Sequence, residues 1–128
     1  MVLLDTDVMI DILRGYQPAL AWLRSLDDDI IALPGFALME LIQGCKTKKE
    51  QQALSTELET YKILWPTHSD CNDAVKLFTR YRLSHNIGII DVLIGQLAVS
   101  FSLPLHTFNK KHYEPIPGLT TVQPYAKA

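Results

Sequence analysis

Cysteine is scarce in this sequence. Cys45 and Cys71 are the only two in 128 residues, and neither belongs to a CxxC pair. A disulfide framework is therefore excluded, along with the small secreted scaffolds that depend on one, and a reducing, cytoplasmic setting is expected. The histidines, His68, His85, His106 and His112, show no zinc-ligand spacing. No apolar run approaches the roughly 18–20 residues of a membrane span. The N-terminus predicts no signal peptide, because it lacks a basic region and Asp5 and Asp7 interrupt its apolar residues. Neither sign of charge is in large excess: the net charge is −2 and the pI about 6.0. Composition thus carries no nucleic-acid footprint, although a local basic face can coexist with an acidic site. Internal repeats, low-complexity segments and linker-like stretches are also lacking.

What the chain does have is apolar content, 48%, enough to build a proper core. Its length predicts one domain over residues 1–128, with 123–128 as a loose tail. Val2-Leu3-Leu4 predicts a buried strand that ends in Asp5-Thr6-Asp7. A helix follows at once, with Val8, Met9, Ile12 and Leu13 on its apolar side. A second helix is predicted from near Pro18, stopping at the solvated loop Asp27-Asp28-Asp29. Ile30 to Leu33 reads as a buried strand, and Phe36 to Gln43 as a helix stopped by Gly44. Thr47 and Glu50 match a capping box for a helix carrying Leu54, Leu58 and Tyr61. Lys62 to Trp65 predicts a strand. Ser69 is expected to cap a long helix through about Ser84, broken by Asn86-Ile87-Gly88. Asp91 then opens an apolar helix, Val92 to Phe101, which belongs in a core. Pro104 to Thr107 and Thr120 to Val122 read as the last strands, separated by a loop or short helix over Asn109 to Tyr113. Alternating strands and helices predict an α/β fold with parallel pairing, helices on both faces and right-handed crossovers.

Within that pattern three acids stand in apolar settings. Asp5 ends the first strand, Glu40 is the lone charge of its helix, and Asp91 stands at the mouth of the most apolar helix. Each has an ordinary reading. Asp5 or Asp7 could cap the first helix, Asp91 could be an N-cap, and Glu40 could face solvent. A single crevice explains them jointly, because buried carboxylates need a partner or a metal. Their oxygens suit a hard ion, Mg²⁺ or Mn²⁺.

Four stretches carry a resemblance. They are Leu3 to Asp11, Met39-Glu40-Leu41-Ile42-Gln43-Gly44, Ile90 to Ile94, and His106 to Tyr113 completed by Ile116-Pro117-Gly118-Leu119. Together, in this order and spacing, they resemble the PIN-domain family, specifically the VapC-type toxins of bacterial and archaeal toxin–antitoxin pairs. The resemblance implies a three-layer α/β/α sandwich with a mainly parallel central sheet. It also implies a Mg²⁺- or Mn²⁺-dependent endoribonuclease that leaves a 5′-phosphate and a 3′-hydroxyl. Asp5, Glu40 and Asp91 would be catalytic and hold the metal, with Asp7 and Asn109 as further candidate ligands. Two departures bear on the number of metals: Asp7 stands where the family usually has asparagine, and Asn109 and His112 stand where a fourth acid is often found. Partners implied are an RNA, such as transfer RNA or a ribosomal-RNA loop, a cognate antitoxin, and a second copy in a homodimer, with a heterotetramer or larger assembly on the antitoxin.

For gripping RNA the chain offers Arg14, Lys46, Lys48, Lys49, Arg80, Arg82, Lys110 and Lys111. Arg14 and Lys46 are favoured because each follows an acid-bearing motif. Thr107 is a further candidate contact, and Tyr113 either stacks on a base or packs. Two rival readings stay in view. Val2 to Val8 also fits a haloacid-dehalogenase-like phosphatase with Asp5 as nucleophile and Asp7 as acid–base, although no later paired-acid motif follows and Glu40 would be unexplained. A catalytically inactive PIN domain that only binds is the other. A phosphoacceptor receiver domain would want an aspartate where Trp65-Pro66-Thr67 stands.

Overall fold

The fold is given by a computed structural model that describes residues 1–127. Five strands form one sheet in the order β3-β2-β1-β4-β5. They are β1 (Val2–Leu4), β2 (Ile31–Pro34), β3 (Lys62–Leu64), β4 (Leu105–His106) and β5 (Thr121–Val122). All four pairings are parallel, as between Leu3 and Ala32 on one side and Leu3 and Leu105 on the other. Parallel neighbours need crossovers. Here these are α1 (Thr6–Leu13), α2 (Gln17–Ser25), α3 (Gly35–Gln43), α4 (Lys48–Glu57), α5 (His68–His85), α6 (Ile89–Ser100) and α7 (Lys110–Tyr113). The result is the expected three-layer α/β/α sandwich.

The central strand is the most apolar. Leu3 and Leu4 are fully buried, as are Val8 and Leu105, and with Met9, Leu33, Ile94 and Leu97 they form the middle of the core. α6 buries Val92, Ile94, Gly95, Leu97 and Ala98, as its nearly uncharged sequence predicts. The chain runs outward from β1 through β2 to β3, then returns to add β4 and β5 on the other side. The β1/β4 gap is therefore the switch point, the place beyond which open α/β sheets bind ligands. Among the described residues no helix is long and apolar enough to cross a membrane.

Several boundaries differ from the sequence reading. Thr67, not Ser69, caps α5: its Oγ1 accepts from the Asp70 N–H at 3.1 Å, and Asp70 Oδ2 accepts from the Thr67 N–H at 2.9 Å. The reciprocal pair of a capping box outweighs a lone serine. Thr47 caps α4 as expected, but Glu50 reaches the Lys46 N–H, 2.8 Å away, instead of that of Thr47. α4 ends at Glu57 and a 3₁₀ turn takes Leu58–Thr60, so Tyr61 lies outside the helix. Asp91 does not open α6. Gly88 is its N-cap and Asp91 sits within the first turn, making no cap bond.

The loose tail is also corrected through Lys127; Ala128 lies outside the described residues. The Tyr125 hydroxyl donates to Asp11 Oδ2 at 2.7 Å. Its ring lies 4.9 Å from that of Phe108 and 6.0 Å from that of Trp22. Lys127 Nζ is 2.8 Å from Asp11 and 4.4 Å above the Phe108 ring. An aromatic anchor with a polar handle holds chain that composition alone makes look free. Truncation after Val122 is expected to destabilise the protein by about 2–3 kcal/mol. A thermal melt that does not move would show that these contacts contribute nothing.

Candidate active site

Asp5 follows the last residue of the central strand. The first bond of the switch point is between backbones: the Asp5 N–H donates to the His106 carbonyl at 3.0 Å. That places the Asp5 side chain beside Thr107, which follows β4. Asp5 is only 4% exposed, so its carboxylate must be satisfied from within the protein. Oδ1 accepts from the Thr6 N–H at 2.8 Å. Oδ2 accepts two hydroxyls, Thr107 at 2.9 Å and Tyr113 at 2.8 Å. Asp5 is thus the N-cap of α1, as its ordinary reading held, and a buried carboxylate at the switch point as well.

The other acids surround it. Glu40, exposed on α3, accepts from the Thr6 hydroxyl at 2.9 Å through Oε1. Asp91, half-buried on α6, has Oδ2 3.5 Å from His112 Nδ1 on α7. Asp7 gives each of its oxygens to a backbone N–H at 2.8 Å, Oδ1 to Val8 and Oδ2 to Phe108. It thereby ties the turn after β1 to the loop after β4. Among the described residues, no three His, Cys, Asp or Glu side chains converge closely enough to form a ready-made metal cage. Each acid meets a partner of its own: Glu40 the Thr6 hydroxyl, Asp5 the hydroxyls of Thr107 and Tyr113, and Asp91 His112.

The charges are costly where they sit. Burial pushes Asp5 up to about 6, with the Asp7 charge adding to it, against the lowering pull of the Thr6 N–H, Tyr113 and Thr107. Burial also raises Asp7, opposed chiefly by the Phe108 and Val8 N–H groups. Asp91 is raised by burial and pulled back by His112 and the Tyr113 hydroxyl. Burial, followed by the charges of Asp5 and Asp91, drives the Tyr113 phenol far above its usual range, so it keeps its proton and serves as a donor. The donor set fits a hard divalent cation: all the acid donors are oxygens, and burial raises three of the acids, Asp5, Asp7 and Asp91.

The remaining predicted residues fall in different places. Arg14, Lys46, Asn109 and Lys110 are exposed. Asn109 stands at the N-cap of α7 without a side-chain cap bond, and its N–H donates to Thr107 Oγ1 at 3.0 Å. Thr107 is 2% exposed, which removes it as a contact for RNA; its hydroxyl donates to Asp5 Oδ2 at 2.9 Å, with Asp7 Oδ2 at 3.4 Å. The sequence reading missed Thr6 as the group that holds Glu40, and it left Tyr113 between stacking and packing. Thr6 could have been noticed for its place between two aspartates. Beside the acids a groove of about 790 Å³ lies between α1, α3 and α4, floored by Ile10, Leu13, Leu41 and Leu54. Its rim holds Arg14 with Glu40, Glu50 and Glu57, so it is more acidic than basic.

Carboxylates gathered beyond the carboxyl ends of a parallel sheet, around its switch point, define a PIN-like α/β/α protein. The PIN domain family profile matches residues 2–115. Ribonuclease VapC10 of Mycobacterium tuberculosis is 35% identical over 115 residues, covering 88% of this chain and 86% of the relative. Ribonuclease VapC19 of the same species is 30% identical over 124 residues, covering 93% and 97%. Among solved structures, a toxin–antitoxin complex from Klebsiella pneumoniae superposes with a TM-score of 0.77 at 27% identity, covering 98% of each chain. The chain belongs to the PIN domain family, and within it to the VapC-type toxins of toxin–antitoxin pairs.

The raised pKa of Asp5 has a consequence for stability. Folding favours its protonated form, so its contribution is fully present below about pH 4 and is lost as pH rises through 6. In EDTA, the stability gap between Asp5→Asn and the wild type is expected to move in favour of the variant by about 1 kcal/mol from pH 5 to pH 7. Burial lowers the pKa of His106, which gives an opposite slope, but His106 is common to both proteins and cancels in the difference. Melting curves at the two pH values check this; a gap that moves the other way would contradict it.

Proposed function

We propose that this protein is a metal-dependent endoribonuclease, the toxin of a toxin–antitoxin pair, which hydrolyses RNA phosphodiesters. The observation that carries the reading is the buried Asp5 carboxylate at the switch point, linked through Thr6 to Glu40 and through Tyr113 toward Asp91. The kinship with proteins named ribonucleases supports the substrate class. Asp5, Asp91 and Glu40 would hold Mg²⁺ or Mn²⁺, with Asp7 and Asn109 as further candidates. Such an ion, when bound, supplies charge stabilisation at the phosphate and lowers the pKa of a water.

The chain's own residues do the rest. Thr107 and Tyr113 fix the Asp5 carboxylate, and Thr6 aims Glu40. Arg14 and Lys46 are exposed close in sequence to α1 and α3, which carry the site, and Lys110 is exposed on α7; these would take RNA phosphates. Cleavage would leave a 5′-phosphate and a 3′-hydroxyl, on a transfer RNA or a ribosomal-RNA loop, in the cytoplasm. A cognate antitoxin is supported by the complex from Klebsiella pneumoniae. The apolar floor of the α1/α3/α4 groove suits an amphipathic segment, and its acidic rim favours basic residues on that partner. Homodimers, joined by antitoxin into a heterotetramer or larger assembly, complete the reading. The phosphatase alternative falls with the family. Both oxygens of its would-be nucleophile, Asp5, are also engaged by donors.

Asp5→Asn, Glu40→Gln and Asp91→Asn are each expected to lower RNA cleavage by more than about 100-fold while keeping the far-UV circular dichroism of the wild type. EDTA should abolish cleavage and added Mg²⁺ or Mn²⁺ restore it. Cleavage at the wild-type rate by all three variants would overturn the assignment. A wild type that binds RNA but never cuts it, with metal present, would make the chain a binding module instead.

A further inference from the structure

We propose that Tyr113 is a positioning residue of the acid site, whose hydroxyl fixes the Asp5 carboxylate so that a single oxygen, Oδ1, is left open to a divalent cation. The inference rests on the metal-binding reading above and adds to it a residue that does not itself touch the metal. Tyr113 ends the short helix α7 and is 2% exposed, so its ring is part of the core. Its hydroxyl meets Asp5 Oδ2 at 2.8 Å, 108 residues away in sequence. A carboxylate offers about four lone-pair directions, two on each oxygen. The hydroxyls of Tyr113 and Thr107 both donate to Oδ2, which fills that oxygen. Among the described residues, Oδ1 accepts only the Thr6 N–H. One lone pair remains, and it belongs to Oδ1, so Asp5 is held to one-oxygen coordination with a fixed orientation.

The Asp91 charge also raises this phenol, and the phenol in turn lowers Asp91. The phenol's single proton goes to Asp5. Tyr113 therefore reaches Asp5, which follows β1, as a neutral donor. Without the hydroxyl, Oδ2 gains a free direction and the carboxylate is held by two donors instead of three. The ring would still fill its place in the core. Loss of a group that orients a ligand typically weakens metal affinity by about 10–100-fold. A purely structural tyrosine would leave metal affinity alone.

The test is Mn²⁺ binding to the purified full chain without RNA, read by the electron paramagnetic resonance of free Mn²⁺, together with cleavage rate against Mn²⁺ concentration. Tyr113→Phe is expected to raise the Kd for Mn²⁺ about 10–100-fold. It should stay folded in EDTA, with a melting temperature lowered only by the loss of one donor to Asp5, and saturating Mn²⁺ should return its cleavage rate. Tyr113→Met, which fills the space without a hydroxyl, is measured beside it so that the outcome does not hang on one variant folding. Wild-type Mn²⁺ affinity in the folded variants overturns the proposal while leaving the nuclease reading intact. A wild type that binds Mn²⁺ but cuts no RNA overturns the nuclease reading, and the ratio of Kd values then still decides the role of Tyr113. Failure of the wild type to bind Mn²⁺, or undiminished binding by Asp5→Asn, overturns both.

Discussion

The structure depends on one constraint: a carboxylate stands at the end of the central strand, almost wholly withdrawn from water. β1 has a neighbour on each side, and Leu3 and Leu4 are fully buried, so whatever follows them emerges inside the protein. An unpaired anion there would cost several kcal/mol, and its neighbours must therefore be donors. Thr6 supplies one from the adjoining turn. Thr107 and Tyr113 supply the others from 102 and 108 residues downstream. The need to satisfy one side chain thus ties the first loop of the chain to its last.

Asp7 follows from the same constraint. A second acid two residues away raises the cost of the first, which is visible in its contribution to the raised pKa of Asp5. Asparagine, usual at this place in the family the chain resembles, would remove that repulsion. It has one acceptor oxygen, however, and here both carboxylate oxygens take a backbone N–H, from Val8 and from Phe108. An asparagine would satisfy one and point its own amide hydrogens at the other. The added charge at Asp7 accompanies a firmer join between the loops after β1 and β4.

Much of this was legible from residues alone. The alternation of apolar runs with helical patterns foretold the parallel sheet, and the near absence of charge in α6 foretold its burial. Asp5, Glu40 and Asp91 were singled out as acids in apolar settings. The misreadings share a cause. The sequence favours Ser69 as the cap of α5, where Thr67 holds that place, puts Asp91 at the opening of a helix that Gly88 caps, and reads Tyr125 as loose tail. Immediate neighbours suggest these roles, but for Thr67 and Tyr125 the role is set by a partner. For Thr67 that partner is Asp70, three residues on; for Tyr125 it is Asp11, at the other end of the sequence.

The sequence by itself determined the order of elements, the parallel sheet and which acids are out of place, because backbone period, capping chemistry and the cost of burying charge act over a few residues. Only the tertiary structure decided what those acids touch. Thr107 becomes a buried donor instead of a surface contact, Tyr113 reaches Asp5, and the tail closes over Asp11 and Phe108. A hydrogen bond reaches about 3 Å, and which groups come that close is fixed by strand order and helix packing, not by spacing along the chain.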